Sequence, residues 1–206
     1  VKKSIFIGVI TTGEMDARLS FALPVLASDP RFTVQIRPFI GRPASHNRNG
    51  AVKKFLESQY DYFMMIDDDI IPPMNILDLV EMDKDVIGAV CPQWKMNDLL
   101  WVVMDKVENG YKQVPVDRRK GMQEVDAVGS GCLVMRRNVL ESICAPFSRQ
   151  WTKEGLQKLG LDFSFCEKAK EKGFKIYTHW DYLCDHIKSV SLLDIYRLIT
   201  RENNVG

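Results

Sequence analysis

Tyr62-Phe63-Met64-Met65-Ile66-Asp67-Asp68-Asp69-Ile70-Ile71-Pro72-Pro73 decides the fold of this chain. Five apolar residues end abruptly in three carboxylates, and a double proline then announces a turn, the pattern of a buried strand emerging into a loop. Three successive carboxylates repel one another, so they are tolerable chiefly where a hard cation or a dense set of donors neutralises them. Open α/β sheets bind ligands in the crevice beyond the carboxyl ends of their strands, which makes this corner the first candidate site. Asp runs also cap helices and solvate turns, and the apolar run in front makes that reading the weaker one here.

Outward from this strand the first 90 residues alternate between two periods. Residues 5–10 form a continuous apolar run ending at Thr11-Thr12-Gly13, and Leu19, Ala22, Leu23, Val25 and Leu26 then follow at near-helical spacing. A second strand is expected over 32–36, and a second helix carries Ala51, Val52, Phe55 and Leu56 on one face. A short helix around Ile76 to Val80 and a buried strand over 86–90 complete a pattern of parallel strands with crossover helices. The rhythm then changes. Residues 99–104 and 111–116 flank Glu108-Asn109-Gly110, a strong hairpin signal, so a β-hairpin insert is expected around residues 99–116. A strand over 124–128, the turn Gly129-Ser130-Gly131 and a short helix over 137–143 follow. Residues 145–161 lack periodicity and read as a loop, a candidate lid. A helix over 162–172, a strand over 174–178 and a last helix over 190–199 packing on the sheet end the chain.

Four motifs now stand in one order: the strand with Asp67-Asp68-Asp69, then Gly129-Ser130-Gly131-Cys132, then Asp162-Phe163-Ser164-Phe165-Cys166, then His186. In that register the chain resembles a glycosyltransferase of the A-type fold, over roughly residues 4 to 190, and is most similar to small family-2-like nucleotide-sugar transferases. The resemblance implies an α/β fold with a Rossmann-like mixed sheet flanked by helices. It implies a single domain over 1–206, with a nucleotide-binding half at 1–90 and an acceptor half at 91–206. Its activity would be metal-dependent transfer of a sugar from a nucleotide donor, a UDP-sugar favoured, to a hydroxyl on an acceptor whose class the sequence leaves open.

The same resemblance distributes roles. Asp67 and Asp69 match the first and last acids of an Asp-x-Asp motif that holds the donor ribose and a Mn²⁺ or Mg²⁺ on the diphosphate, with Asp68 between them on the nucleotide. His186 matches a late third protein ligand of that ion. Asp162, opening a helix after the candidate lid, matches the general base of inverting members, although Leu161 stands where a Glu often precedes that acid. A carboxylate within hydrogen-bond reach of the acceptor hydroxyl suits the task; Asp162 also suits a helix N-cap. Thr11, Thr12 and Gly13 match the segment that cradles base and ribose, Arg48 and Asn49 an Arg-Asn pair of the nucleotide pocket, and Gly129, Ser130 and Gly131 a loop bordering donor sugar and acceptor. Trp94 and Trp151 are candidates for stacking on sugar rings or, more commonly for Trp, core filler.

Rivals remain open. Retaining enzymes on the same fold share the Asp pair and the late His, and a catalytically silent fold would bind carbohydrate or assemble a complex. A nucleotidyltransferase would carry a Gly-rich, basic phosphate loop after the first strand, and Thr11-Thr12-Gly13 is too bare for that. Composition sets outer limits. With 28 Lys plus Arg against 27 Asp plus Glu, the net charge of +1 gives no reason to expect a nucleic-acid partner, although it does not exclude one. Cys91, Cys132, Cys144, Cys166 and Cys184 are scattered and odd in number, which argues against a disulfide framework and for a reducing cytoplasmic setting. His179, Cys184 and His186 with Cys166 fit no closed zinc pattern. No run approaches the ~18 apolar residues of a membrane span. Oligomeric state is not legible.

Overall fold

The structure is a computed structural model that describes residues 2–95, 98–193, 195, 196 and 200. Its first part runs β1 (Lys3–Thr11), α1 (Ala17–Ala27), β2 (Phe32–Ile40), α2 (Ala44–Leu56), β3 (Tyr62–Asp67), β4 (Ile70–Ile71), α3 (Asp78–Glu81) and β5 (Val86–Val90). Then come β6 (Pro92–Lys95), β7 (Asp98–Trp101), β8 (Val103–Val107), β9 (Gly110–Gln113), β10 (Met122–Val125), β11 (Ala127–Val128) and β12 (Cys132–Arg136). The last part is α4 (Arg137–Glu141), β13 (Gln150–Trp151), β14 (Gln157–Leu159), α5 (Leu161–Glu171), β15 (Ile176–Leu183) and β16 (Asp185–His186).

Seven strands form the central sheet in the order β10-β15-β5-β12-β3-β1-β2. β1, β2 and β3 are mutually parallel, as are β5 and β15, whereas β12 runs antiparallel between β3 and β5 and β10 antiparallel to β15. The sheet is therefore mixed, and the reversal of β12 has a positional result. It brings the start of β12, and with it Gly129-Ser130-Gly131, to the same edge at which β1, β3 and β5 end. β1 and β3 read as unbroken apolar runs because both faces are covered. One face presents Phe6, Phe63, Met65, Leu133 and Met135 to α2, α4 and α5, and the other presents Ile7, Met64, Ile66 and Val134 to α1 and α3.

Several expectations shift. Leu99 to Trp101 belong to β7, which pairs with β6, so the hairpin across Asn109 is β8 with β9 and covers a shorter stretch than 99–116. β11 joins it on the outer edge of β8 to make a separate three-stranded sheet. Residues 145–161 are not a plain loop: β13 and β14 pair there, with Gly155 at φ +79° in the turn, but strands this short carry no readable period. The last strand extends to Leu183, beyond the expected 178. The final helix is not packed on the sheet where it is described: Leu192, Leu193 and Tyr196 are exposed, while 194 and 197–199 lie outside the described residues.

Among the described glycines, Gly8 leaves the least room for a side chain. A Cβ there would approach the Phe63 ring to 2.8 Å, and Phe63 is itself held between Phe6 and Phe55. Gly8→Ala is expected to lower unfolding free energy by about 1–3 kcal/mol through overpacking, read as a lower urea midpoint at unchanged slope; an unchanged midpoint would show that Phe63 can move.

Candidate active site

The three acids at the end of β3 are neutralised by donors from three distant parts of the chain. Both oxygens of Asp67 accept from Arg48 Nη2 on α2, at 2.9 and 2.8 Å. Asp68 Oδ2 accepts the Thr12 backbone N–H at 3.2 Å, which ties the loop after β1 to the loop after β3. Asp69 Oδ2 faces His186 Nε2 at 3.3 Å and also takes the Lys188 ammonium. A two-residue pairing delivers the imidazole: β16 runs antiparallel to β4 with His186 opposite Ile70, and the Ile187 N–H donates to the Asp69 carbonyl at 2.9 Å.

The two outer acids titrate in opposite directions. Burial dominates at Asp67, whose side chain is 23% exposed; the Arg48 charge works against it, the neighbouring Asp162, Asp69 and Asp68 reinforce it, and the carboxyl is pushed up to about 6. Burial also acts to raise Asp69, but the hydrogen bonds from His186 and Lys188 and their charges outweigh it and hold the carboxyl at about 2. The same contact with Asp69 raises the His186 pKa.

The fit to a divalent ion rests on this pair. His186 Nδ1 lies 2.6 Å from the Pro92 carbonyl, which fixes Nδ1 as the donor and leaves the Nε2 lone pair facing Asp69 when the ring is neutral. The Lys188 ammonium already occupies a cation position against the same carboxylate. Imidazole plus carboxylate suits Mn²⁺, and a site of this kind completes its shell with water and substrate phosphate. Among the described residues no three His, Cys, Asp or Glu side chains converge closely enough to hold an ion unaided. Both oxygens of Asp67 are engaged by Arg48.

Asp162 lies in the first turn of α5, whose N-cap is Gly160, so it does not serve as the cap. Its Oδ1 accepts from the Ser130 hydroxyl at 2.6 Å and lies 3.5 Å from Arg48 Nη1. Arg48 thus bridges Asp67 and Asp162. The two ends of this bridge line different cavities, Arg48 one and Asp162 the other. One, of about 570 Å³, is lined by Thr11, Thr12, Arg42, Asn47, Arg48 and the three acids. The other, of about 750 Å³, has Asp162 in its wall between α5 and the β8–β9 hairpin.

The remaining candidates divide. Gly13, at φ +123° with open space around it, is glycine for its backbone conformation. Asn49 is not in the pocket: its amide donates to the Phe147 carbonyl and accepts the Phe147 N–H, clamping α2 to the segment after α4. Asn47, about 200° round the helix from it, lines the cavity instead, donating to the carbonyls of Thr11, Phe39 and Gly41. Gly129 and Gly131 are small for internal reasons, since a Cβ would press on Val102 and Ile70 respectively. Trp94 and Trp151 are 40% and 57% exposed, so neither is core filler; Trp94 shares a small cleft of about 160 Å³ with His186 and Lys188. The short basic runs Arg118-Arg119-Lys120 and Arg136-Arg137 make structural contacts, with Arg118 on Asp105, Arg136 on Asp83, and Arg137 on the carbonyls of Phe55, Leu56, Ser58 and Tyr60. Arg42, Asn47 and Lys188 were not singled out from sequence; only Asn47, one residue from Arg48, carried a positional hint.

No protein-family model matches the sequence, and a search of curated proteins finds no match either. Solved structures do match. A197 from STIV aligns over 91% of this chain and 86% of its own, with a TM-score of 0.61 at 18% identity. GalNAc-T7, solved with UDP, GalNAc and Mn²⁺, aligns over 97% of this chain and 48% of its own, with a TM-score of 0.52 at 10% identity. What the chain shares with them is the fold. A central mixed sheet flanked by helices, of the glycosyltransferase-A type, is the architecture here. No described helix is long and apolar enough to cross a membrane.

Asp67 supplies a pH signature. An acid with a folded pKa near 6, above its unfolded value of about 3.9, favours the fold most below the unfolded value and loses that contribution as pH rises through about 6. Without metal, the stability of the native protein relative to Asp67→Asn is expected to fall between about pH 4 and pH 6, by on the order of 1–3 kcal/mol in total. Urea titrations across that window measure the difference; a constant difference would show that Asp67 is ionised throughout.

Proposed function

We propose that this chain is a metal-dependent glycosyltransferase that moves a sugar from a nucleoside-diphosphate donor to an acceptor hydroxyl with inversion. One observation carries the reading: Asp162, in the wall of a cavity large enough for an acceptor, lies 3.5 Å from Arg48, which lines the cavity of the three acids. The first cavity, at the carboxyl ends of β1 and β3, has the place and size for a nucleotide. The neighbour solved with UDP and Mn²⁺ supports the same choice of ligands.

Asp69 and His186 would hold Mn²⁺ or Mg²⁺, which when bound neutralises the charge that develops on the departing diphosphate. Arg42, lining the cavity without an ion-pair partner among the described residues, is placed to take a donor phosphate. The Asp68 link to Thr12 keeps the base-side loop against β3. Transfer then needs a base on the acceptor side. Ser130 and Arg48 both engage Oδ1 of Asp162, which leaves Oδ2 with no hydrogen-bond partner among the described residues. Oδ2 takes the proton as the acceptor oxygen bonds to the anomeric carbon, and the carbon–oxygen bond to the diphosphate breaks with its electrons leaving on phosphate. Attack from the face opposite the leaving group inverts the anomeric centre.

With UDP-sugar and Mn²⁺ near a hundredfold above Kd, the melting temperature is expected to rise by the equivalent of about 2.7 kcal/mol. Asp69→Asn is expected to remove the Mn²⁺-dependent part of that shift, and an equal shift in the variant would sink the metal assignment. Asp162→Asn is expected to keep the shift while turnover drops at least about a hundredfold, and NMR of the product should give the anomer opposite to the donor's.

A further inference from the structure

The cavity beside Asp162 has a chemistry of its own. Its floor is apolar, from Leu100, Val102 and Met104, and one wall is the Tyr111–Phe163 pair, whose ring centroids lie 4.8 Å apart. Gln93, Gln113 and Gln157 place three amides around it. Aromatic faces with amide donors and acceptors are the means by which proteins hold a hydroxylated ring, apolar on its C–H face and polar at its edge. The Tyr111 hydroxyl is occupied by Glu167 at 3.1 Å, so this ring offers its face rather than its oxygen.

Charge then narrows the class of sugar. Three charged side chains line the cavity: Asp162, Lys112 and Arg149. Asp162 is engaged by Ser130 and Arg48. Lys112, on β9, and Arg149, just ahead of β13, have no carboxylate or hydrogen-bond partner among the described residues. Three other cations near the same small sheet are paired: Lys106 with Glu167, Arg118 with Asp105 and Lys170 with Asp126. Two cations without a carboxylate partner, lining one cavity together with an aromatic pair, form a receptor for negative charge.

We propose that this cavity receives a saccharide acceptor bearing an anionic group, a carboxylate or a phosphate ester, which Lys112 and Arg149 bind while the ring lies on Tyr111 and Phe163. The proposal rests on the transferase reading for the word acceptor, and its test does not need turnover. The anion fixes the ring at one end, and the hydroxyl to be glycosylated is thereby turned toward Asp162. Because exposed cations contribute through a field that salt screens, the preference for charge is strongest at low ionic strength.

The test is saturation-transfer NMR with matched probes: methyl glucoside, methyl glucuronide and glucose 6-phosphate, with and without UDP and Mn²⁺. At least one charged sugar is expected to bind at least about tenfold tighter than the neutral one, and the gap should shrink as salt rises from about 0.05 M to about 0.5 M; which charged probe gains separates carboxylate from phosphate. Lys112→Ala with Arg149→Ala is expected to erase the gap and leave neutral-sugar binding in place, with the melting temperature reporting that the doubly substituted protein is folded. Equal binding of charged and neutral sugars, a gap that survives both substitutions, or no saccharide binding at all would overturn the proposal. A native protein that prefers the charged sugars but shows no UDP-dependent thermal shift would instead overturn the donor assignment and leave this one standing.

Discussion

Everything at this site depends on how three adjacent carboxylates are kept from repelling one another. The chain solves the problem with different partners for each acid: a guanidinium for Asp67, a backbone N–H for Asp68, and an imidazole with an ammonium for Asp69. Each partner comes from a different segment, so satisfying the acids also fixes where α2, the loop after β1 and the strand β16 must lie. The electrostatic demand of three residues thus organises one whole edge of the sheet.

The solution leaves the acids unequal. Asp67 is enclosed enough that its ionisation is costly even beside Arg48, while Asp69 keeps its charge through contacts near the surface. Arg48 is the hinge of this arrangement, with one nitrogen on Asp67 and another 3.5 Å from Asp162. It has a buried Nε with no partner, a sign that the guanidinium is held by its terminal nitrogens alone. Removing it would leave Asp67 and Asp162 without the cation between them, and this is why the three acids and Asp162 form one electrostatic unit.

The supporting framework is apolar and tight. β1 and β3 are covered on both faces, and Gly8 and Gly88 exist to admit Phe63 and Val128. Such packing transmits position: a strand end that cannot slide holds its carboxylates still, and a site whose geometry is fixed before ligand arrives loses little on binding. By contrast, β13–β14 and residues 187–193 contribute no buried side chains.

The sequence by itself determined the alternation of strands and helices in the first 90 residues, because continuous apolar runs and 3.6-residue periods are local signals. It also marked the acids, Asp162, Ser130 and His186 as one set, because their order along the chain is a linear property. It could not reveal that β12 enters antiparallel between β3 and β5, since pairing direction is decided by which edges meet in space. Nor could it separate Asn47, which lines the cavity, from Asn49, which clamps Phe147, because the two differ by only two positions on one helix. Arg48 between two acids, Lys188 on Asp69 and the two unpaired cations over the second cavity are long-range pairings, and only the folded chain, by bringing residues up to 119 positions apart into contact, decides them.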